Sequence, residues 1–190
     1  SEAIPLLLEN LGCDIAKIYC DPNGIFKRGA EPLPENLSDL SDLVIRENCD
    51  IGFAVDPDSD RLAIINENGK PLGEEYTLVL AAAGYLSQKE NSEVLVTNLS
   101  SSIALDKLAD KYNSTVLRSA VGEINVVNKM VECNSSFGGE GNGGVILKDA
   151  HLGRDALVGA SLILSYLSRQ KTTLSETHKA LPRYVIVKDK

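Results

Sequence analysis

Asp56-Pro57-Asp58-Ser59-Asp60-Arg61 sets three carboxylates at alternate positions in a stretch bracketed by apolar residues. Carboxylates packed that closely repel one another, and a hard divalent cation, which prefers oxygen ligands, would neutralise them. Aspartate is also an ordinary turn residue, so a solvated acidic turn is the plain alternative. An EF-hand loop would use Asp56, Asp58, Asp60 and Glu67 at its first, third, fifth and twelfth positions, but its sixth position demands glycine and here holds Arg61. A guanidinium beside a metal grips phosphate oxygens through paired hydrogen bonds, which favours a metal-plus-arginine phosphate site.

A second cluster, Gly138-Gly139-Glu140-Gly141-Asn142-Gly143-Gly144, contains a literal G-x-G-x-x-G. A dinucleotide fingerprint opens a helix and is followed about 20 residues later by an acid. Here the β-like Val145-Ile146-Leu147 follows, Leu164 stands where the acid is needed, and there is no Walker lysine. What remains is backbone able to approach a ligand closely, with one carboxylate, Glu140, and one amide, Asn142, suited to sugar hydroxyls. A tight hairpin that simply needs glycine is the alternative. Arg154 is placed to reach either substrate or an acidic neighbour such as Asp155. Ser100-Ser101-Ser102 precedes a helical pattern and is expected to N-cap it. Glu123 follows a glycine at a helix start, where the dipole favours a carboxylate, and His178 is expected to be solvated on a terminal helix.

The elements that must hold these groups follow from hydrophobic periodicity. Helical spacing covers residues 4–11 and about 37–46, separated by a Pro-, Gly- and Asn-rich surface excursion over 21–37. Strands are expected at 50–55 and 62–65, flanking the acidic loop. Then helices near 74–86, 103–112 and 124–131 alternate with strands near 94–97 and 115–117, the pattern of an α/β sheet. A strand at 145–147, a helix at about 155–167, a short helix ended by Leu181-Pro182 and a strand at 184–187 complete the reading.

Composition bounds the function classes. The 190 residues carry a net charge of −8, which argues against a nucleic-acid binder, since phosphate-backbone binding needs a basic surface. With 43% apolar and 24% charged residues the chain can bury a core, which excludes overall disorder. There is no apolar run long enough for a membrane span, the opening Ser1-Glu2-Ala3-Ile4-Pro5 has no basic segment before an apolar one, and Cys13, Cys20, Cys49 and Cys133 form no C-x-x-C pair. A cytoplasmic protein with reduced thiols and no membrane partner is expected. The sequence lacks an initiator Met and opens in a helical pattern, so a fragment is expected.

Taken together with Val121-Gly122-Glu123 and His151-Leu152-Gly153-Arg154-Asp155, the two loops resemble the α-D-phosphohexomutase superfamily in order and spacing. That superfamily includes phosphoglucomutase, phosphomannomutase and phosphoglucosamine mutase. The resemblance implies a mixed sheet flanked by helices, of the middle-domain type. Residues 1–71 would be the end of the second domain with the metal loop, 72–181 the third domain with the sugar-binding loop, and 182–190 the start of the connection to a fourth. It also implies Mg²⁺ on Asp56, Asp58 and Asp60, with Arg61 assisting the phosphoryl group. Glu140 and Asn142, with Arg154 as a further candidate, would hold a hexose phosphate. The reaction would move phosphate between the 1- and 6-positions of a hexose through a bisphosphorylated sugar and a phosphoserine.

Several positions depart from the commonest pattern: Pro57 stands where Gly is usual, Asn142 where Ser often stands, and Glu123 and Gly144 where many relatives have His. The phosphoserine loop and the phosphate-gripping loop belong to the first and fourth domains, so the chain alone is expected to lack turnover and to need the remaining domains as partners. Two other classes would fit the same loops: a non-catalytic module that binds Mg²⁺ or sugar phosphate, and a metal-dependent phosphatase using the aspartates directly.

Overall fold

Val94-Leu95-Val96, opening the stretch 94–98, are apolar on both faces, which suits a strand in the middle of a sheet covered on two sides. The computed structural model, which describes residues 2–184, places them there. In chain order the elements are α1 (Ala3–Asn10), a 3-10 turn (Pro34–Asn36), α2 (Ser38–Arg46), β1 (Ile51–Val55) and β2 (Leu62–Asn66). Then come α3 (Glu74–Leu86), β3 (Val94–Asn98), α4 (Ala104–Lys111), β4 (Thr115–Ser119) and α5 (Glu123–Glu132). The last are β5 (Phe137–Glu140), β6 (Gly144–Leu147), α6 (Ala156–Arg169) and α7 (Leu174–Ala180).

The main sheet has the order β4-β3-β5-β6, with β3 parallel to β4 and β5 and β6 antiparallel to β5. It is the expected mixed α/β sheet. Side chains alternate across it: Leu95, Phe137 and Val145 join the core under α3, α4 and α6, while Val96 and Ile146 pack on Val126 and Met130 of α5. Helix α3 is buried from Thr77 through Leu86, consistent with its nearly all-apolar sequence and its place between the sheet and α6. Asp155 caps α6, accepting from Leu157 N at 2.7 Å and Val158 N at 3.2 Å. A Thr173–Glu176 capping box starts α7.

Strands β1 and β2 form a separate antiparallel hairpin, and the acidic residues are its loop. That hairpin is stitched to the main sheet: Leu62 N donates to Gly143 O at 3.1 Å, and Arg61 bridges Gly144. Gly143 makes the stitch possible, since its φ of +94° suits glycine and a β-carbon there would run into the Leu62 carbonyl. The acidic loop and the glycine turn therefore share one edge of the molecule.

Most expected elements are present within a residue or two. The glycine cluster is a tight hairpin, since Phe137–Glu140 is itself a strand paired with β6 and residues 141–143 are the turn. Strand β5 was not anticipated because Phe-Gly-Gly-Glu has two glycines and little β propensity; burial between β3 and β6 overrides that. Two local expectations are corrected. His178 is not a solvated residue: its ring packs edge-on to Tyr76 with centroids 4.3 Å apart, and burial, then Arg183, lowers its pKa. The serine triplet does not occupy the N-cap of α4, which is Ile103. Ser102 Oγ does accept from Ala104 N at 3.1 Å. The strand expected at 184–187 lies, beyond its first residue, outside the described residues.

Candidate functional site

Asp56 builds the acidic loop from within. It is 1% exposed, and its Oδ1 accepts from the backbone N–H groups of Asp60 and Arg61, each at 3.1 Å. Its Oδ2 accepts from Arg61 Nε at 2.5 Å. Ser59 turns the chain with φ of +61° and passes its carbonyl to Ala156 N at 3.1 Å, which anchors the loop on the start of α6. Among the described residues, Asp56, Asp58 and Asp60 are the one group able to bring three carboxylate oxygens within 4.8 Å of one another. Asp58 is exposed and Asp60 half-buried. Three hard oxygen donors in mutual reach, opening to solvent through Asp58, fit a divalent cation.

The electrostatics agree. Burial alone would raise the Asp56 carboxyl, but hydrogen bonds from Asp60, the Arg61 backbone and the guanidinium hold it below its ordinary value. Asp60 goes the other way, pushed up to about 6 by burial and by the hydrogen bond to Asp56, with Arg154 opposing the rise. The two neighbouring carboxyls are thus driven in opposite directions by one shared environment.

Arg61 stands beside the three aspartates, as expected, but its fork is engaged. Nη1 and Nη2 donate to the two Glu31 oxygens at 2.5 and 3.2 Å. Glu31 comes from the excursion at 21–37 and drew no attention in the sequence. Its hydrogen bonds to Arg61 hold its carboxyl below the usual range and raise the guanidinium.

The glycine turn is held by residues after β3. Glu140 is 3% exposed; Oε1 accepts from Asn98 Nδ2 at 2.6 Å and from Gly122 N at 3.1 Å, and Oε2 accepts from Arg154 Nη1 at 2.8 Å. Ser101 Oγ accepts from Gly141 N at 2.9 Å, and Asn142 Oδ1 from Gly144 N at 3.2 Å. Arg118 fixes the supporting loop by donating to the carbonyls of Asn98 at 3.0 Å and Ser101 at 2.9 Å. Asn98 thus supports the candidate site without having been singled out in the sequence, and Ser101, expected only to cap a helix, holds the glycine turn. The available signal was a polar Asn-Leu-Ser-Ser-Ser run at the carboxyl end of a parallel strand, where α/β sheets place ligands.

Arg154 is paired neither with Asp155 nor with open solvent. Its guanidinium joins Asp60 and Glu140, and its backbone N–H donates to Glu123 Oε1 at 2.7 Å. Glu123 lies in the first turn of α5 but caps nothing with its side chain; it ties down the Arg154 loop instead. His151 pairs with Asp155 at 3.0 Å on the exposed side.

An aspartate hairpin fused to a glycine turn on a mixed, two-sided α/β sheet defines a class of α/β/α proteins. Family models described as phosphoglucomutase/phosphomannomutase, alpha/beta/alpha domains II and III, match residues 1–69 and 63–184. The chain belongs to the phosphoglucomutase/phosphomannomutase family. It is 35% identical to a phosphoglucomutase/phosphomannomutase of Thermococcus kodakarensis, over 100% of this chain and 42% of that protein. It is 33% identical to a phosphoglucosamine mutase of Clostridium botulinum, over 93% of this chain and 40% of the relative. The crystal structure of a phosphoglucomutase/phosphomannomutase family protein from Burkholderia thailandensis superposes with a TM-score of 0.85 at 27% identity, covering 96% of this chain and 41% of that one. The chain thus spans about two fifths of the length of these relatives. No helix among the described residues is long and apolar enough to cross a membrane.

Proposed function

We propose that this chain is the metal- and sugar-recognition portion of a cytoplasmic phosphohexomutase that interconverts hexose 1-phosphate and 6-phosphate through a bisphosphorylated sugar. The division expected from the sequence stands as part of the proposal: 1–71 the end of the second domain, 72–181 the third, 182–190 leading to the fourth. The remaining domains of the mutase would be its partners, supplying the phosphoserine and the phosphate grip, and neither nucleic acid nor membrane is a partner. One observation carries the reading: three aspartate oxygens within 4.8 Å sit on a hairpin hydrogen-bonded directly to the turn that holds Glu140 and Asn142.

In this reading Asp56, Asp58 and Asp60 hold Mg²⁺, which when bound would spread the charge of a moving phosphoryl group. Arg61 is the catalytic residue, donating its fork to phosphoryl oxygens once these replace Glu31. Glu140 and Asn142 orient the hexose hydroxyls from a preset turn, and Arg154 holds Glu140 in place.

Titration calorimetry tests this on the chain itself. Mg²⁺ is expected to bind one site, and Asp58→Asn to weaken it about tenfold by removing one anionic ligand. Binding also needs Asp60 ionised, and protons compete for it as the pH falls. Since that carboxyl titrates at about 6, affinity is expected to fall about tenfold between pH 7 and pH 5. Saturable Mg²⁺ binding that ignores Asp58→Asn would sink the assignment. Glucose 1-phosphate turnover by the isolated chain would contradict the need for the other domains.

A further inference from the structure

We infer that Arg154 is a positioning residue that couples cation binding on the aspartate hairpin to the conformation of the glycine turn; this rests on the metal reading above. Its side chain is 17% exposed and spans two loops. Nη2 pairs with Asp60 Oδ2 on one side, and Nη1 donates to Glu140 Oε2 at 2.8 Å on the other. Nε is buried without a hydrogen bond, with Glu123 Oε2 standing 3.5 Å away. The stem is fixed as well, because it fills the space above Gly144, where a β-carbon would collide with Arg154 Cδ. A side chain at position 144 would therefore have to displace this arginine.

A planar guanidinium presents donors on separate nitrogens and can pair two carboxylates from different elements at once; an ammonium is a single point charge. Asp60 is the shared partner. A divalent cation drawing on Asp60 competes with the guanidinium for that carboxylate and repels it. Arg154 then leans on Glu140 and Glu123, and the turn between Glu140 and Gly144 feels the change. By linkage, whatever holds Arg154 toward Glu140 favours the cation in return. The arginine opposes the cation in the empty site and transmits its arrival to the sugar side.

The experiment is a Mg²⁺ titration of the chain followed by calorimetry and by amide NMR shifts of Gly139, Gly141 and Gly143. Wild type is expected to show glycine-turn shifts that saturate with the calorimetric midpoint. Arg154→Gln is expected to tighten Mg²⁺ about three- to tenfold, because a neighbouring positive charge is gone, while the turn shifts shrink to less than about a third. Arg154→Lys retains the charge without the fork, so Mg²⁺ affinity should stay within about twofold of wild type while the turn shifts are still diminished. A purely structural arginine would lower thermal stability and leave or weaken Mg²⁺ affinity, with the shifts intact; that result in either variant overturns the coupling. If Arg154→Gln does not fold, the Arg154→Lys shifts decide. Wild type without any Mg²⁺ binding overturns the metal reading and the coupling with it, whereas binding that is sensitive to Asp58→Asn but blind at the turn overturns the coupling alone.

Discussion

Gly84→Val is expected to destabilise the chain by about 4 kcal/mol, overpacking a helix contact that has no slack. Gly84 is the point where α3 lies against α6, and even a β-carbon would run into the Leu162 carbonyl, with the Tyr166 β-carbon 3.4 Å away. The obstacle is backbone in the middle of a helix, so it cannot rotate away as a side-chain tip could. Relief requires the two helices to part, and both cover the same face of the sheet, where Leu95, Phe137 and Val145 are fully buried. For a domain of this size such a loss lowers the thermal midpoint by about 10 °C. Gly159→Ala on α6 is the control. There the β-carbon would meet Leu62 and Val145 side-chain carbons at 3.4 Å, a tolerable contact, and helix propensity gains about 1 kcal/mol. Urea unfolding by circular dichroism measures both. Equal midpoints for Gly84→Val and wild type would mean that α3 and α6 do not approach as described.

The contrast between these two glycines also marks what a sequence conveys. Both sit inside helical patterns, and nothing in their neighbours distinguishes them; the difference arises only when α3 and α6 are laid together. Periodicity made α3 and α6 legible because a long run of apolar residues has few other places to go. It failed at β5, where neighbours β3 and β6 rather than its own residues dictate the strand. The acidic loop and the glycine turn were legible because their residue types are chemically unusual at such density. Their supports were not. Glu31 reaches Arg61 across 30 positions and Asn98 reaches Glu140 across 42, and single polar residues at those distances leave no pattern. Arg154 was legible as a candidate but not in its partner, because Asp155 is next in sequence while Asp60 and Glu140 are next in space.

Glu140→Ala is expected to cost about 3 kcal/mol of folding stability, because two donors lose their acceptor and the Arg154 guanidinium keeps Asp60 but loses its second carboxylate. Its carboxylate satisfies Asn98 Nδ2, Gly122 N and Arg154 Nη1 from a position 3% exposed. Glu140→Gln keeps an oxygen for Asn98 and Gly122 but turns an amide N–H toward the guanidinium, so an intermediate loss of about 2 kcal/mol is expected. Arg154→Met and Glu140→Ala remove the same ion pair, so the double change is expected to be less harmful than the sum of the two. Urea denaturation of the three variants and the double variant measures this cycle without any ligand. If Glu140 existed only to touch a sugar, its removal would leave stability within about 1 kcal/mol of wild type and the cycle would be additive. The expected coupling instead means that the carboxylate is locked in place before a ligand arrives. A preset acceptor loses little orientational freedom when a hexose hydroxyl docks, and that rigidity is what a recognition turn made largely of glycine would otherwise lack.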